Sequence, residues 1–115
     1  MVVSFKQLVH RDRPPTVDVA GSPEHTFSFP SGHTLFSLVL IGTLLWLLFP
    51  ALSKHPAARW AATAIGAVLV VAVASSRVYL GYHWTTDVLA SLLLGTAWLG
   101  TVWLIDRRLR PPART

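Results

Sequence analysis

The chain of 115 residues contains no cysteine, and only 13% of its residues are charged. The first absence removes disulfide frameworks, thiolate metal sites and cysteine nucleophiles together. The second leaves roughly half the charge of an ordinary soluble domain, which is about 25%. Apolar residues fill the gap: 52% of the chain is hydrophobic and the mean hydropathy is +0.51. Such a composition excludes disorder, because a disordered chain is polar and poor in aromatics. A net charge of +5 would suit a nucleic-acid partner, but the placement of the charges argues against one. Between Thr34 and Ile105 only Lys54, Arg59, Arg77 and Asp87 are charged, and the other eleven of the fifteen charges lie before residue 25 or after residue 105. A cleaved signal peptide is also a poor fit, since Met1 to Ala20 lacks a long apolar core and carries Lys6, Arg11 and Arg13.

What remains is a hydrophobic body with charged ends, predicting an all-α, polytopic membrane bundle. Its expected layout is an outer-face segment and loop over 1–30, transmembrane helices over 31–52, 58–76 and 84–105, and a basic tail over 106–115. Helices of about 20 residues cover the roughly 30 Å of hydrocarbon. Three such spans place the Lys54–Arg59 link and the tail, with Arg107, Arg108, Arg110 and Arg114, on one side. The positive-inside rule makes that side cytoplasmic, so residues 1–30 and 77–87 face the other way. Trp60, Trp84, Trp103, Tyr79 and Tyr82 fall near span ends, as interfacial aromatics do. Gly66 follows Ala62 by four residues and Gly95 follows Ser91 by four, a spacing that permits close helix contact and also arises by chance.

The reactive residues gather on the non-cytoplasmic side in three short segments. Lys6 precedes Arg13-Pro14; Pro30-Ser31-Gly32-His33 opens the first span; Ser76-Arg77, His83 and Asp87 bridge the second and third. Proline suits a first helical turn, glycine admits close approach, and the free N–H groups of that turn attract an anion. Ser31 adds a hydroxyl and His33 a titratable donor, although the same four residues also suit a plain helix start. His83 and Asp87, four apart, share a helical face. A carboxylate so placed can accept one imidazole N–H and leave the other nitrogen free to attack; an Arg77–Asp87 structural pair is the competing reading. Arg11 and His10 read as contacts for anionic headgroups, with Asp12 neutralising part of Arg11 or Arg13. Three cations, a helix start and two histidines suit an anion with dispersed charge, hence phosphoryl transfer. They also disfavour a divalent metal held by the two histidines and Asp87.

In order and spacing, these three segments resemble the signature of the type 2 phosphatidic acid phosphatase family, membrane lipid phosphate phosphatases that share a fold with vanadium haloperoxidases. The resemblance covers about residues 1–105. It implies a metal-independent, cofactor-free phosphatase domain over 1–115, acting on a lipid phosphate or diphosphate of the phosphatidate, phosphatidylglycerophosphate or undecaprenyl diphosphate class. It implies catalytic roles for His83 as nucleophile forming a phosphohistidine, Asp87 as its orienting carboxylate and His33 as acid then base. Lys6, Arg13, Ser31, Gly32 and Arg77 would bind the phosphate. Members commonly have six spans with about three before the first segment, so the resemblance makes Met1–Val9 the end of a third span and the chain the C-terminal half of a truncated six-helix core. Its setting would be a bacterial plasma membrane, with the site outside and the C-terminus in the cytoplasm. Two other readings stay open: a membrane fragment without catalytic competence, and a vanadate-dependent haloperoxidase, which membrane spans disfavour. His25, His55 and a lid formed by Pro14–Phe29 around Gly21-Ser22-Pro23 are left without assigned roles. Substrate identity within the class and oligomeric state stay open.

Overall fold

The structure, a computed structural model, describes residues 2–15 and 26–110. The turn expected at Gly21-Ser22-Pro23, His25 and Arg114 lie outside the described residues, as does most of the suggested lid. Among the described residues the regular structure is entirely helical: α1 (Val2–Val9), α2 (Gly32–Leu48), α3 (Pro56–Tyr79) and α4 (Thr85–Leu109).

The helix ends differ from the expected spans for local reasons. Pro50 has no N–H with which to continue the helical ladder, so α2 stops at Leu48, with Phe49 still in helical conformation as its C-cap, and a turn runs on to Lys54. At 17 residues α2 is about 26 Å long, shorter than its neighbours. α3 gains residues at both ends: Pro56 sits in its first turn, where a missing N–H costs nothing, and Arg77 lies in its last. α4 continues to Leu109 because Arg107 and Arg108 complement the negative end of the helix dipole. Only α3 and α4 are long and apolar enough to cross a membrane by themselves, and α2 is a third, shorter apolar helix.

α2 lies between α3 and α4, which touch each other little. The buried apolar core is small, made of Leu35, Val70, Ala74 and Val88, while Phe36, Leu44, Val68 and Leu93 face outward. Large apolar side chains exposed on every long helix suit a lipid surround. Close approach is achieved with glycine. A Cβ on Gly66 would lie 2.9 Å from Ile41 Cγ2, and one on Gly95 would lie 2.7 Å from Leu38 Cδ2. Gly42 likewise faces Leu99 with no room for a Cβ.

Gly95→Val is therefore expected to destabilise the bundle by about 1–3 kcal/mol, the usual effect of overpacking. Gly100, with nothing within 4 Å of a Cβ, should respond oppositely: Gly100→Ala removes a helix-weakening glycine worth up to about 1 kcal/mol. Thermal unfolding in detergent reads both, and equal shifts would show that the α2–α4 crossing is not close-packed.

Candidate active site

The α3 and α4 ends that carry His83 are joined by a compact turn. Gly81 adopts φ 74°, a left-handed conformation natural to glycine. It lets Gly81 N–H reach Val78 O at 3.0 Å and Tyr82 N–H reach Arg77 O at 3.1 Å, the paired bonds of a Schellman motif. His83 N–H bonds the same Arg77 carbonyl at 3.2 Å. One helix end therefore sets both Arg77 and His83, and the Arg77 guanidinium lies 4.2 Å from the centroid of the Tyr82 ring.

His83 is 2% exposed and Asp87 fully buried. The expected hydrogen bond between them does not form: Nδ1 is 3.8 Å from Asp87 Oδ2, beyond bonding range. Nδ1 instead lies 2.7 Å from the main-chain carbonyl of Ser28. A carbonyl only accepts, so Nδ1 carries a proton, and in the neutral ring the lone pair is on Nε2. The functional outcome anticipated for a carboxylate, a fixed tautomer, is supplied by the backbone, with the Asp87 charge close behind.

Asp87 has other partners. At the third position of α4 its Oδ2 accepts Trp84 N–H at 3.0 Å, half of a capping box. Its Oδ1 accepts from an Arg11 terminal nitrogen at 2.9 Å. Arg11, read from sequence as a headgroup contact, pairs with Asp87 and so takes the place considered for Arg77. Asp12 contributes its main-chain carbonyl, which accepts Trp84 Nε1–H at 3.0 Å. The path of this segment depends on His10, whose φ of 47° turns the chain after α1. Ser28, fully buried, then clasps it: Ser28 N–H bonds Arg11 O at 2.9 Å, and its hydroxyl lies 3.2 Å from Arg11 O and 3.1 Å from Asp12 O.

Lys6 and Arg13 meet at Thr26. Lys6 Nζ is 3.0 Å from Thr26 Oγ1 and 2.8 Å from Phe27 O. Arg13 donates to Thr26 O at 2.6 Å, to Thr26 Oγ1 at 3.0 Å and to Tyr82 O at 2.7 Å. These neutral oxygens place both cations next to the turn that bears Arg77 and His83.

At the start of α2, Pro30 precedes the helix rather than opening it, and Ser31 is the N-cap. The Ser31 hydroxyl is buried against Thr34 Oγ1 at 3.0 Å and makes no cap bond. This hydroxyl, expected to donate to phosphate, is engaged within the helix start. Gly32 begins the helix and His33 stands exposed in its first turn. His33 thus lies on α2, and His83 lies in the turn between α3 and α4. The two helix starts differ in a useful way. α4 is closed by the Asp87 carboxylate, whereas the first N–H groups of α2 receive no side-chain cap and remain suited to an anion.

The arrangement is a helical, apolar scaffold with a cation-rich cluster and an uncapped helix start at one end, beside a buried histidine whose Nδ1 is bonded to a main-chain carbonyl. The PAP2 superfamily model matches residues 1–111, and the chain belongs to that superfamily. It is 37% identical over 94 residues to phosphatidylglycerophosphatase B of Bacillus subtilis, covering 79% of this chain and 44% of that protein. It is 42% identical over 70 residues to an undecaprenyl-diphosphatase of Sulfolobus acidocaldarius, covering 61% of this chain and 29% of that one. The chain thus spans less than half the length of these relatives. The crystal structure of a transmembrane PAP2 type phosphatidylglycerolphosphate phosphatase from Bacillus subtilis superposes with a TM-score of 0.84 at 33% identity, covering 98% of this chain and 55% of that one. The fold is therefore the transmembrane PAP2 fold, and the protein is an integral membrane protein.

Arg11, Ser28, Thr26 and Trp84 were not assigned to the site from sequence. Two of these contacts run through main-chain atoms, which leave no mark on residue type.

Proposed function

We propose that the chain is a metal-independent phosphatase that hydrolyses a lipid phosphate or diphosphate through a phosphohistidine on His83. The observation that carries this is the Nδ1 bond to Ser28 O, which commits one ring nitrogen as donor and leaves Nε2 as nucleophile. In the first step the Nε2 lone pair forms the N–P bond while the P–O bond to the leaving group breaks, and His33 gives that oxygen its proton. In the second, His33 takes a proton from water, the water oxygen attacks phosphorus, and the N–P electrons return to Nε2. Free phosphate leaves, and both histidines are restored. Lys6, Arg13 and Arg77, with the Gly32 N–H, would carry the spread-out charge of the transferring group. Ser31, at the N-cap position of α2, would add its hydroxyl to that set. The Asp87 carboxylate favours the positive charge that the ring acquires as N–P bonding develops.

The substrate class follows from relatives that are named for phosphatidylglycerophosphate and undecaprenyl diphosphate, together with a site at one end of apolar helices. α2, α3 and α4 would each span the bilayer, and the family's metal-free chemistry fits a cation-lined site. Lys54, Arg59, Arg107 and Arg108 lie at the other end of the helices, which the positive-inside rule places in the cytoplasm of a bacterial cell, with the site outside. Phosphate release from phosphatidylglycerophosphate and undecaprenyl diphosphate by the chain in detergent, with and without EDTA, tests the reading. Release unchanged by EDTA is expected. Loss of release in EDTA, recovered by a divalent ion, would replace it with a metal mechanism.

A further inference from the structure

We infer that Arg11 is a positioning residue of this site, holding both neighbours of the His83 ring at once. The inference rests on the phosphatase reading above and adds to it a residue that lies within the first sequence segment, between Lys6 and Arg13, but was given no role in the site there.

Two independent sets of bonds meet at residue 11. Through its side chain, one terminal nitrogen bonds Asp87 Oδ1 at 2.9 Å and Thr86 Oγ1 at 2.6 Å, both in the first turn of α4. The guanidinium also lies 5.8 Å from the centroid of the Trp84 ring. Through its main chain, the Arg11 carbonyl accepts Ser28 N–H at 2.9 Å, and the Ser28 carbonyl is the group that receives His83 Nδ1–H at 2.7 Å. The ring's hydrogen-bond partner Ser28 and the neighbouring Asp87 carboxylate are both held by the same residue.

The side chain matters because of what Asp87 would do without it. The carboxylate is fully buried, while the Arg11 side chain is 38% exposed. A buried carboxylate that loses its cation is left uncompensated, and it responds by rotating or by taking up a proton. Rotation releases the Trp84 N–H cap that fixes the α4 start one residue beyond His83. Protonation removes the negative charge 3.8 Å from Nδ1, the charge that favours a positive ring. Either result misplaces or weakens the nucleophile without touching the phosphate-binding groups.

The expected signature is a fall in kcat with KM nearly unchanged. Misplacement of a reacting group by about an ångström can cost about 10²-fold. Arg11→Gln is therefore expected to lower kcat for phosphate release by about that factor, with KM within about twofold. Arg11→Lys, which keeps the charge and several donors, should recover most of the loss. Because both residues act through one pair, Arg11→Gln combined with Asp87→Asn should be no slower than Asp87→Asn alone. The ring 15N resonances of His83 in protein labelled at histidine should move in Arg11→Gln and return towards the original positions in Arg11→Lys.

Full kcat in Arg11→Gln, or multiplicative losses in the double variant, would overturn the inference, as would unmoved ring resonances. A melting point for each variant separates misfolding from misplacement, and Arg11→Lys gives a folded comparison if Arg11→Gln does not fold. If the unaltered chain releases no phosphate, the phosphatase reading fails, while the His83 resonances still decide whether Arg11 positions the ring.

Discussion

His83→Ala is expected to reduce phosphate release by about 10⁴-fold or more, the scale seen when a nucleophile that works as part of a unit is removed. No neighbour can replace it. Asp87 is buried and bonded to Arg11 and the Trp84 N–H, and His33 lies on another helix. The structural cost should be modest by comparison. The substitution removes the hydrogen bond to the Ser28 carbonyl, and a buried carbonyl left without its donor costs about 1–3 kcal/mol. Ser28 itself stays anchored through its N–H to Arg11 O, so the 10–15 segment keeps its course. Rapid quenching of a reaction with substrate labelled on the transferred phosphate should trap an acid-labile, base-stable phosphoprotein in the unaltered chain and none in the variant. A labelled, acid-stable adduct retained in His83→Ala would move the covalent step to a different side chain.

Parts of this architecture were legible from residue order and others were not, and the division has a physical basis. Long apolar runs are determined by composition, so three apolar helices in succession could be read directly. Their ends depend on single residues and neighbours: Pro50 shortens α2, while Arg77 and Arg107 stay inside helices because an arginine stem tolerates an apolar flank. The four-residue spacing of His83 and Asp87 suggests one helical face, but His83 sits in the turn ahead of α4 and only Asp87 in its first turn, and spacing cannot show which oxygen the ring chooses. The chosen oxygen belongs to the Ser28 backbone, a group every residue has. Arg11 was obscured for a related reason. Its partner Asp87 is 76 positions away, and the approach exists only because the chain turns at His10 and is clasped by Ser28. A basic residue beside a membrane has a simple explanation in lipid headgroups, and only the folded geometry replaces it.

The second large effect is expected at Arg77. Removing one preorganised donor to developing charge typically costs about 10²–10³-fold, and Arg77→Ala should lower kcat/KM for phosphate release by that amount. The geometry argues for a clamp fixed before substrate arrives. The Arg77 main chain accepts both Tyr82 and His83 N–H groups, and its guanidinium lies against the Tyr82 ring at 4.2 Å, so cation and nucleophile are set by one turn. A guanidinium over a ring face gains about 0.5–2 kcal/mol from that contact, which restricts the fork to few orientations. Arg77→Lys keeps the charge but loses the planar fork and much of the stacking, and it should recover less than about tenfold of the loss. Tyr82→Phe keeps the ring face and serves as the control for packing. Measured together by initial rates, near-normal kcat/KM in Arg77→Ala would remove Arg77 from the phosphate site. Full recovery in Arg77→Lys would show that only charge is needed there, and that the Schellman turn places His83 rather than a fork and a nucleophile in register.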